Sequence, residues 1–246
     1  RRANNYLVLK NNGQTEITLL EKKDLWFIKK QMGVDNSDSF QSNHVLFVEG
    51  PSEEVALRKM GDLPQYAILK SSINGIDIIT YNGDSHFNIL TQFMRYVREF
   101  DRIPIVLYDG HKDIIEKVDE LGRGRLLHPI PRQENEEFED QFDNKTIVEA
   151  MNKLYKEGSC KFTMSEADLK HEREVKNKNV VTILDGFLQN ACGENLKKTK
   201  FAEILADIVI SDIKNAELSG NPRMKQKFEI EADKVMEFVN KNHNKE

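Results

Sequence analysis

The sequence predicts an α/β fold in which helices flank a parallel sheet and a mainly helical part follows. Three apolar runs, at residues 44–48, 76–81 and 103–108, alternate with stretches that have helical spacing. This alternation is typical of a parallel sheet. The runs are almost continuously apolar, which indicates strands that are buried on both faces.

Residues 1–43 are predicted to form a hairpin followed by a linker. Residues 6–9 and 15–20 have the composition of short strands. The Asn-Gly step at residues 12–13 favours the positive φ of a tight turn between them. The polar, turn-rich stretch 34–43 marks a boundary ahead of the first buried strand.

The core of the predicted α/β domain lies in residues 44–135. A helix is expected after each of the three strands, over residues 53–60, 87–100 and about 112–121. A fourth, weaker strand is predicted at 126–130, where Pro129 restricts it to an edge or an end. Residues 136–246 are predicted to be mainly helical, with helices over 136–157, 165–176, 196–217 and 222–242.

Composition limits the classes of function. Among 246 residues, 36 are basic and 41 acidic, so the net charge of −5 does not by itself predict a nucleic-acid partner. No apolar run approaches the roughly 18 residues of a membrane span, and we expect no membrane partner. Cys160 and Cys192 are too few for a disulfide framework or a four-ligand zinc site. We expect them to be isolated thiols in a cytoplasmic protein.

Acidic residues occur where the predicted strands end. Glu49 follows the first buried strand and Asp109 follows the third. Ligands of open parallel sheets bind beyond the carboxyl ends of the strands, so both carboxylates should face one crevice. Glu53 comes one helical turn after Glu49, and carboxylate oxygens suit hard divalent cations. A single Glu at a strand end is more often a solvated loop residue or a helix cap, and the repetition favours a metal.

Two segments carry a resemblance to a known family. HVLFVEGPSEEVALRKMG (44–61) resembles the first motif of Toprim domains, and IPIVLYDGHKD (103–113) resembles their Asp-x-Asp motif. Among Toprim proteins, the sequence is most similar to the OLD (overcoming lysogenization defect) family of ATP-dependent nucleases. The resemblance covers about residues 44–215.

Two later segments extend this resemblance. ENEEFEDQF (134–142) resembles the acidic element of the family, with Glu139 as the best match. KTKFA (198–202) resembles a helix start that carries a functional lysine, with Lys198 in that position. Neighbouring lysines compete for the role, namely Lys197 and Lys200.

The resemblance implies a Toprim-like Rossmannoid fold and a divalent-metal-dependent DNA endonuclease or nickase of an anti-phage defence system. Its implied cofactor is Mg²⁺ or Mn²⁺, and its implied partner is DNA. An ATPase part is expected upstream, joined through residues 1–43, or on a separate chain. The start at Arg1 rather than Met agrees with an upstream part. A homo-oligomer is also expected.

The resemblance also implies residue roles. Glu49 and Asp109 would hold a metal ion, and Glu53 and Glu139 would complete the ligand shell. Lys198 would place a positive charge at the scissile phosphate and stabilise the transition state.

His111 departs from the family pattern, because it stands where the second Asp of Asp-x-Asp is expected. Imidazole binds Mn²⁺, whereas Mg²⁺ prefers oxygen ligands. His111 is therefore a metal ligand or a proton shuttle, or the second metal position is weakened, or Asp113 compensates, or His111 is simply a polar loop residue.

Basic residues that would contact DNA are less evident. Arg123 and Arg125 form a compact basic loop, and Lys200 lies in a lysine-rich segment. Ordinary solubility charge is the alternative explanation for these residues.

Two other functions compete with the nuclease. The first is a catalytically weakened Toprim-like module that scaffolds a complex or senses nucleic acid or nucleotide, and His111 favours it. The second is a strand-passing or priming enzyme. It is disfavoured because the sequence shows no domain with a candidate Tyr nucleophile and no zinc-binding cysteine set.

Overall fold

A computed structural model of the protein describes residues 6–11, 14–19, 44–70, 75–81, 103–108, 127–133, 136–155, 163–176 and 179–243. The helices predicted over 87–100 and 112–121 and the linker at 34–43 lie outside the described residues.

The N-terminal strands form a hairpin of their own. Strand β1 (Tyr6–Asn11) pairs antiparallel with β2 (Gln14–Leu19), and Asn11 lies opposite Gln14. Two residues therefore separate the strands, which agrees with the turn predicted at the Asn-Gly step.

The second sheet is parallel, as the buried apolar runs predict. Among the described residues it contains β3 (His44–Val48), β4 (Ile76–Thr80), β5 (Ile103–Tyr108) and β6 (His128–Pro131), in the order β4-β3-β5-β6. Phe47 of β3 lies opposite Ile79 of β4 and Val106 of β5. The strand ends at Val48, Thr80, Tyr108 and Pro131 therefore form one carboxyl end of the sheet.

Strand β6 confirms the weakest of the predicted strands. It pairs parallel with β5, and Pro129 lies opposite Val106. Proline lacks a backbone N–H and is tolerated at an edge, where one side of the strand needs no donor.

Helix α1 (Pro51–Met60) connects the sheet to the helical part. Proline is favoured in the first turn of a helix, and acidic side chains there complement the helix dipole. Its residues Ala56, Leu57 and Met60 are fully buried with Leu46 of β3 in the main hydrophobic core. A short 3₁₀ helix at Pro64–Leu69 follows.

The C-terminal part is helical, as predicted, although its helix boundaries differ. A 3₁₀ turn at Phe138–Gln141 precedes the first of these helices. The helices are α2 (Asn144–Tyr155), α3 (Glu166–Lys176), α4 (Val180–Cys192), α5 (Lys198–Ser219) and α6 (Lys227–His243). Helix α5 packs along α1 and α2. No helix in the part of the chain that the structure describes is long and apolar enough to cross a membrane.

Helix α4 was missed by the sequence-based prediction. Its β-branched residues and the internal Gly186 lower intrinsic helix propensity. A start signal was present, because the Asn179 side chain accepts a hydrogen bond of 2.8 Å from the Thr182 backbone N–H. Burial of its apolar face stabilises the helix despite weak propensity.

The expectation of two isolated thiols is wrong. Cys192, the last residue of α4, is disulfide-bonded. Cys160 is the other cysteine of the sequence, and it lies outside the described residues.

Two glycine substitutions test helix packing, one at the end of α1 and one inside α4. A Cβ atom at Gly61 would lie 2.6 Å from the Lys70 backbone nitrogen, and at Gly186 nothing lies within 4 Å of a Cβ. Gly61→Ala should therefore lower the free energy of unfolding by about 1–3 kcal/mol through overpacking. Gly186→Ala should raise it by about 0.5–1 kcal/mol, because alanine favours a helix interior. Urea denaturation measures both, and a Gly61→Ala variant as stable as wild type would contradict this packing.

Candidate functional site

Glu49 lies at the carboxyl end of the sheet, directly after the central strand β3. The adjacent Val48 carbonyl accepts a hydrogen bond of 3.0 Å from the Tyr81 N–H, so the backbone there remains tied to the neighbouring strand. The Glu49 side chain is half-buried, and its Oε2 atom is shielded from solvent. A carboxylate is thus held at the edge where ligands of parallel sheets bind.

The neighbouring strand β5 ends level with Glu49. Continuing the register from Phe47 and Val106 places Glu49 opposite Tyr108. Asp109 follows Tyr108 in the sequence but lies outside the described residues. The pairing of Glu49 with Asp109 around one metal ion therefore stays a prediction.

The turn that follows Glu49 is fixed by the first turn of α1. The Gly50 N–H donates a hydrogen bond of 2.6 Å to Glu53 Oε2. Gly50 is the N-cap residue of the helix, and Pro51 occupies its first turn. This arrangement satisfies an otherwise unpaired backbone donor and sets the direction in which the chain leaves β3.

A buried cluster of three charged residues, Glu53, Arg132 and Glu231, adjoins this turn. Arg132 Nη1 is 2.7 Å from Glu53 Oε1, and the Arg132 side chain is 0% exposed. On its other side, Arg132 donates from Nε to Glu231 Oε1 at 2.9 Å and from Nη2 to Glu231 Oε2 at 3.2 Å. The guanidinium carbon lies 5.7 Å from the centre of the Phe138 ring. This charged triad joins α1, the end of β6 and α6.

The charged triad was not predicted from the sequence. Arg132 directly follows β6, so the rule that functional groups follow parallel strands would have selected it if applied to the fourth strand. The role of Glu53 as a metal ligand is not tested by these contacts and stays a prediction. Its two carboxylate oxygens contact Gly50 and Arg132, which gives Glu53 a structural function at the same turn.

Glu139 is distinguished from the other described acids of its segment by its deeper burial. It lies in the 3₁₀ turn beside Phe138 and is 4% exposed. Four neighbouring acids hold structural partners: Lys227 for Glu136, Asn179 for Glu137, Arg173 for Asp140 and the Thr146 N–H for Asp143. Burial raises the pKa of Asp140 above its usual range even though Arg173 opposes the shift. The proximity of Phe138 to Arg132 brings this turn to the carboxyl end of the sheet.

The three competing lysines differ in their partners. Lys197 Nζ lies 3.6 Å from a Glu194 carboxylate oxygen, and Lys200 Nζ lies 2.6 Å from one of Glu203. Lys198, the first residue of α5, is exposed and forms no ion pair with any residue that the structure describes. It is thus the lysine of this group most available to a phosphate.

Helix α5 packs against α1. Lys59 Nζ, near the end of α1, lies 3.2 Å from an Asp207 carboxylate oxygen. Just beyond α1, the pKa of Asp62 is lowered first by its hydrogen bond with Lys70, and the charge of Lys214 adds to this effect. Lys59 thus lies near Asp207, and the later residue Asp62 is affected by the later residue Lys214. This order favours the same direction for α1 and α5.

This direction places the start of α5 toward the start of α1. The number of residues from Lys198 to Asp207 equals the number from Gly50 to Lys59. Because an α-helix rises about 1.5 Å per residue, the two stretches have about the same length. We infer that Lys198 lies at the carboxyl end of the sheet, on the same side as Glu49.

The described residues do not by themselves form a metal site. Within them, no group of three or more His, Cys, Asp and Glu side chains is arranged to hold a metal ion. Glu49 fits a hard cation, because it provides an oxygen ligand at the ligand-binding end of the sheet. The other predicted site residues Asp109, His111, Arg123 and Arg125 lie outside the described residues.

Comparison with known proteins agrees with this geometry. Residues 40–110 match the family model described as the TOPRIM domain of overcoming lysogenization defect protein-like proteins. The chain thus contains a Toprim domain. More particularly, the matched segment is similar to the Toprim domains of OLD-like proteins.

Two solved structures are similar to the chain. The C-terminal region of the OLD protein of Xanthomonas campestris pv. campestris shares 14% identity over 83% of this chain and 99% of its own length, with a TM-score of 0.49. The C-terminal region of the Burkholderia pseudomallei OLD protein shares 15% identity over 81% of this chain and 99% of its own, with a TM-score of 0.47. A comparison with curated proteins finds no match.

Substitution of Arg132 tests how deeply the charged triad is buried. Arg132→Met removes the guanidinium from two buried carboxylates, so the free energy of unfolding should fall by about 3–5 kcal/mol. The control Lys59→Met removes ion pairs with Asp207 and Glu203, whose side chains are 50% and 30% exposed, and should cost about 0–1 kcal/mol. Urea denaturation compares the two, and equal small losses would show that the triad is not buried in solution.

Proposed function

We propose that this chain is the Toprim half of an OLD-type nuclease and that it hydrolyses phosphodiester bonds of DNA as an endonuclease or nickase. The main support is the position of Glu49. Within the segment that matches the OLD-like TOPRIM model, it directly follows the central strand, next to the end of β5. Asp109 follows β5 in the sequence, so two carboxylates are available at neighbouring strand ends.

The proposed site is dependent on a divalent metal. When bound, Mg²⁺ or Mn²⁺ would polarise the phosphate, activate water and offset the charge on the leaving oxygen. Glu49 and Asp109 would hold the ion, with further ligands predicted among Glu53, His111 and Glu139. Each provides oxygen or imidazole, which are ligand types that these cations accept.

Lys198 would act directly on the phosphate in this proposal. Its exposed ammonium group starts α5, and the inferred direction of that helix would bring its first turn toward the carboxyl end of the sheet. A positive charge positioned at a phosphate oxygen stabilises the charge that develops in the transition state. Lys200, Arg123 and Arg125 are proposed to contact the DNA backbone farther from the reacting bond.

The wider setting is part of the same proposal. An ATPase part, in the same protein or on a separate chain, would control the nuclease, and the assembly would be a homo-oligomer. The proposed role is anti-phage defence in the cytoplasm. OLD-like Toprim domains are the basis for this assignment.

A second candidate function is supported by the contacts of Glu53. Its Oε1 atom is 2.7 Å from Arg132 Nη1, so a guanidinium stands where a metal ion would otherwise contact that oxygen. Together with His111 in place of the second Asp, this favours a catalytically weakened module that scaffolds a complex or senses nucleic acid or nucleotide. Plasmid nicking by the full-length protein with Mg²⁺ or Mn²⁺ decides between the two functions.

Glu49 gives the most direct mutational test. Glu49→Ala should lower metal-dependent plasmid nicking at least about 100-fold, because a metal ligand is lost. The melting temperature should stay close to wild type, since the side chain is half-buried at a strand end. Glu54→Ala is the matched control, because Glu54 pairs with Arg58 on α1 at 3.1 Å and should be dispensable. Wild-type nicking by Glu49→Ala would reject this metal site.

Lys198 is tested against its neighbour. Lys198→Ala should reduce the nicking rate by about 10²–10³-fold at saturating DNA, as loss of a transition-state contact does. Lys197→Ala removes an equally exposed lysine that pairs with Glu194 and should change the rate less than about twofold. Gel-based plasmid nicking measures both, and equal effects of the two substitutions would contradict the assignment to Lys198.

A further inference from the structure

We propose that Arg132 is a positioning residue for the hydrolysis proposed above, because it holds the two strand ends that carry Glu49 and Asp109 in one arrangement. The inference rests on the proposed function and adds to it a residue that acts through Glu53 and Gly50 rather than on the substrate.

The backbone of Arg132 is fixed to β5. Its N–H donates a hydrogen bond of 3.2 Å to the carbonyl oxygen of Tyr108, the last residue of that strand. Asp109 is the next residue in the sequence. The position of Arg132 is thereby tied to the strand end from which the second predicted metal ligand emerges.

The side chain of Arg132 is fixed to the other strand end. Its Nη1 atom lies 2.7 Å from Glu53 Oε1, and Glu53 Oε2 accepts a hydrogen bond of 2.6 Å from the Gly50 N–H. Gly50 is joined to Glu49 by a planar peptide group, so the orientation of that group constrains the Glu49 backbone. A short chain of contacts therefore runs from Tyr108 through Arg132 to Glu49.

The guanidinium is itself immobilised. Its Nε and Nη2 atoms donate to the two oxygens of Glu231 on α6, and none of the side chain is exposed. Arginine has a planar fork of donors that can serve two carboxylates at once, whereas lysine has a single ammonium group on a flexible stem. Lysine at this position would keep the positive charge and lose the bridge.

Arg223 provides a matched control. It also forms a two-pronged ion pair with a buried carboxylate of α6, that of Glu229. The charge of Tyr66 influences the pKa of Arg223 after the larger effect of Glu229, so Arg223 lies near the 3₁₀ helix that follows α1. Among the described residues, neither Arg223 nor Glu229 forms a hydrogen bond or ion pair with the charged triad. Arg223→Lys should therefore weaken α6 attachment without disturbing the proposed site.

The test compares Arg132→Lys with Arg223→Lys in the full-length protein. At saturating DNA and Mn²⁺, Arg132→Lys should nick plasmid at least about tenfold more slowly, because small displacements of positioned groups reduce rates strongly. The DNA concentration for half-maximal rate should change less than about twofold, since Arg132 is buried and does not reach the substrate. Arg223→Lys should nick plasmid at a rate within about twofold of wild type, even where it lowers the melting temperature as much as Arg132→Lys does.

A second measurement does not depend on cleavage. Hydrogen exchange of the Gly50 amide, followed by NMR, reports the contact between Gly50 and Glu53 directly. Exchange should be at least about tenfold faster in Arg132→Lys and unchanged in Arg223→Lys. If Arg132→Lys does not fold, Glu231→Gln replaces it, because the amide removes one of the acceptors that immobilise the guanidinium and so loosens its contact with Glu53. The same slower nicking and faster exchange are then expected.

The outcomes separate the two proposals. The first outcome is that the wild type nicks and the triad variant, Arg132→Lys or Glu231→Gln, nicks equally fast with unchanged Gly50 exchange. This overturns the positioning role, and the nuclease function stands. Absence of nicking by the wild type with Mg²⁺ and Mn²⁺ overturns the proposed function, and with it the role of Arg132 in hydrolysis. Both proposals are supported if the triad variant shows faster Gly50 exchange and slower nicking while Arg223→Lys shows neither.

Discussion

The Arg132 guanidinium, shared by two buried carboxylates, holds the candidate site and the C-terminal helix in one structure. Removing a charge from water costs several kcal/mol per ion unless good geometry compensates for it. Here the side chains of Glu53, Arg132 and Glu231 are all nearly inaccessible to solvent, and the contacts between them span 2.7 to 3.2 Å. Such a cluster specifies how its parts fit together, because an alternative packing would leave a charge buried alone.

The location of this triad gives it functional significance. It contacts the helix start after β3 and follows the last residue of β6, so it lies at the end of the sheet where parallel folds bind ligands. Glu49 is a half-buried carboxylate at this end. The inferred direction of α5 would bring Lys198 to the same side. A carboxylate for a cation and an ammonium for a phosphate are the two kinds of group that metal-dependent phosphodiester hydrolysis requires.

Several of these features could be predicted from the sequence because their signals are local. Continuous apolar runs identified β3, β4 and β5, and the acid at the end of β3 identified Glu49. Helix α4 was missed because its tertiary packing outweighs weak propensity around Gly186. The acidic segment at 134–142 was ambiguous because charge alone does not distinguish the buried Glu139 from its less buried neighbours. Arg132 was missed because its partners are 79 and 99 positions away in the sequence, and no local pattern signals that contact.

The central claim is that Glu49 holds a divalent cation at the carboxyl end of the sheet. Anomalous diffraction from crystals soaked in Mn²⁺ tests it most directly. The account predicts an anomalous peak about 2.0–2.3 Å from a Glu49 carboxylate oxygen, a distance usual for Mn²⁺ and similar cations bound to oxygen. It also predicts that Asp109 completes the contact from the neighbouring strand. Saturating Mn²⁺ with no peak near Glu49, in crystals where the site is open to solvent, would contradict the account.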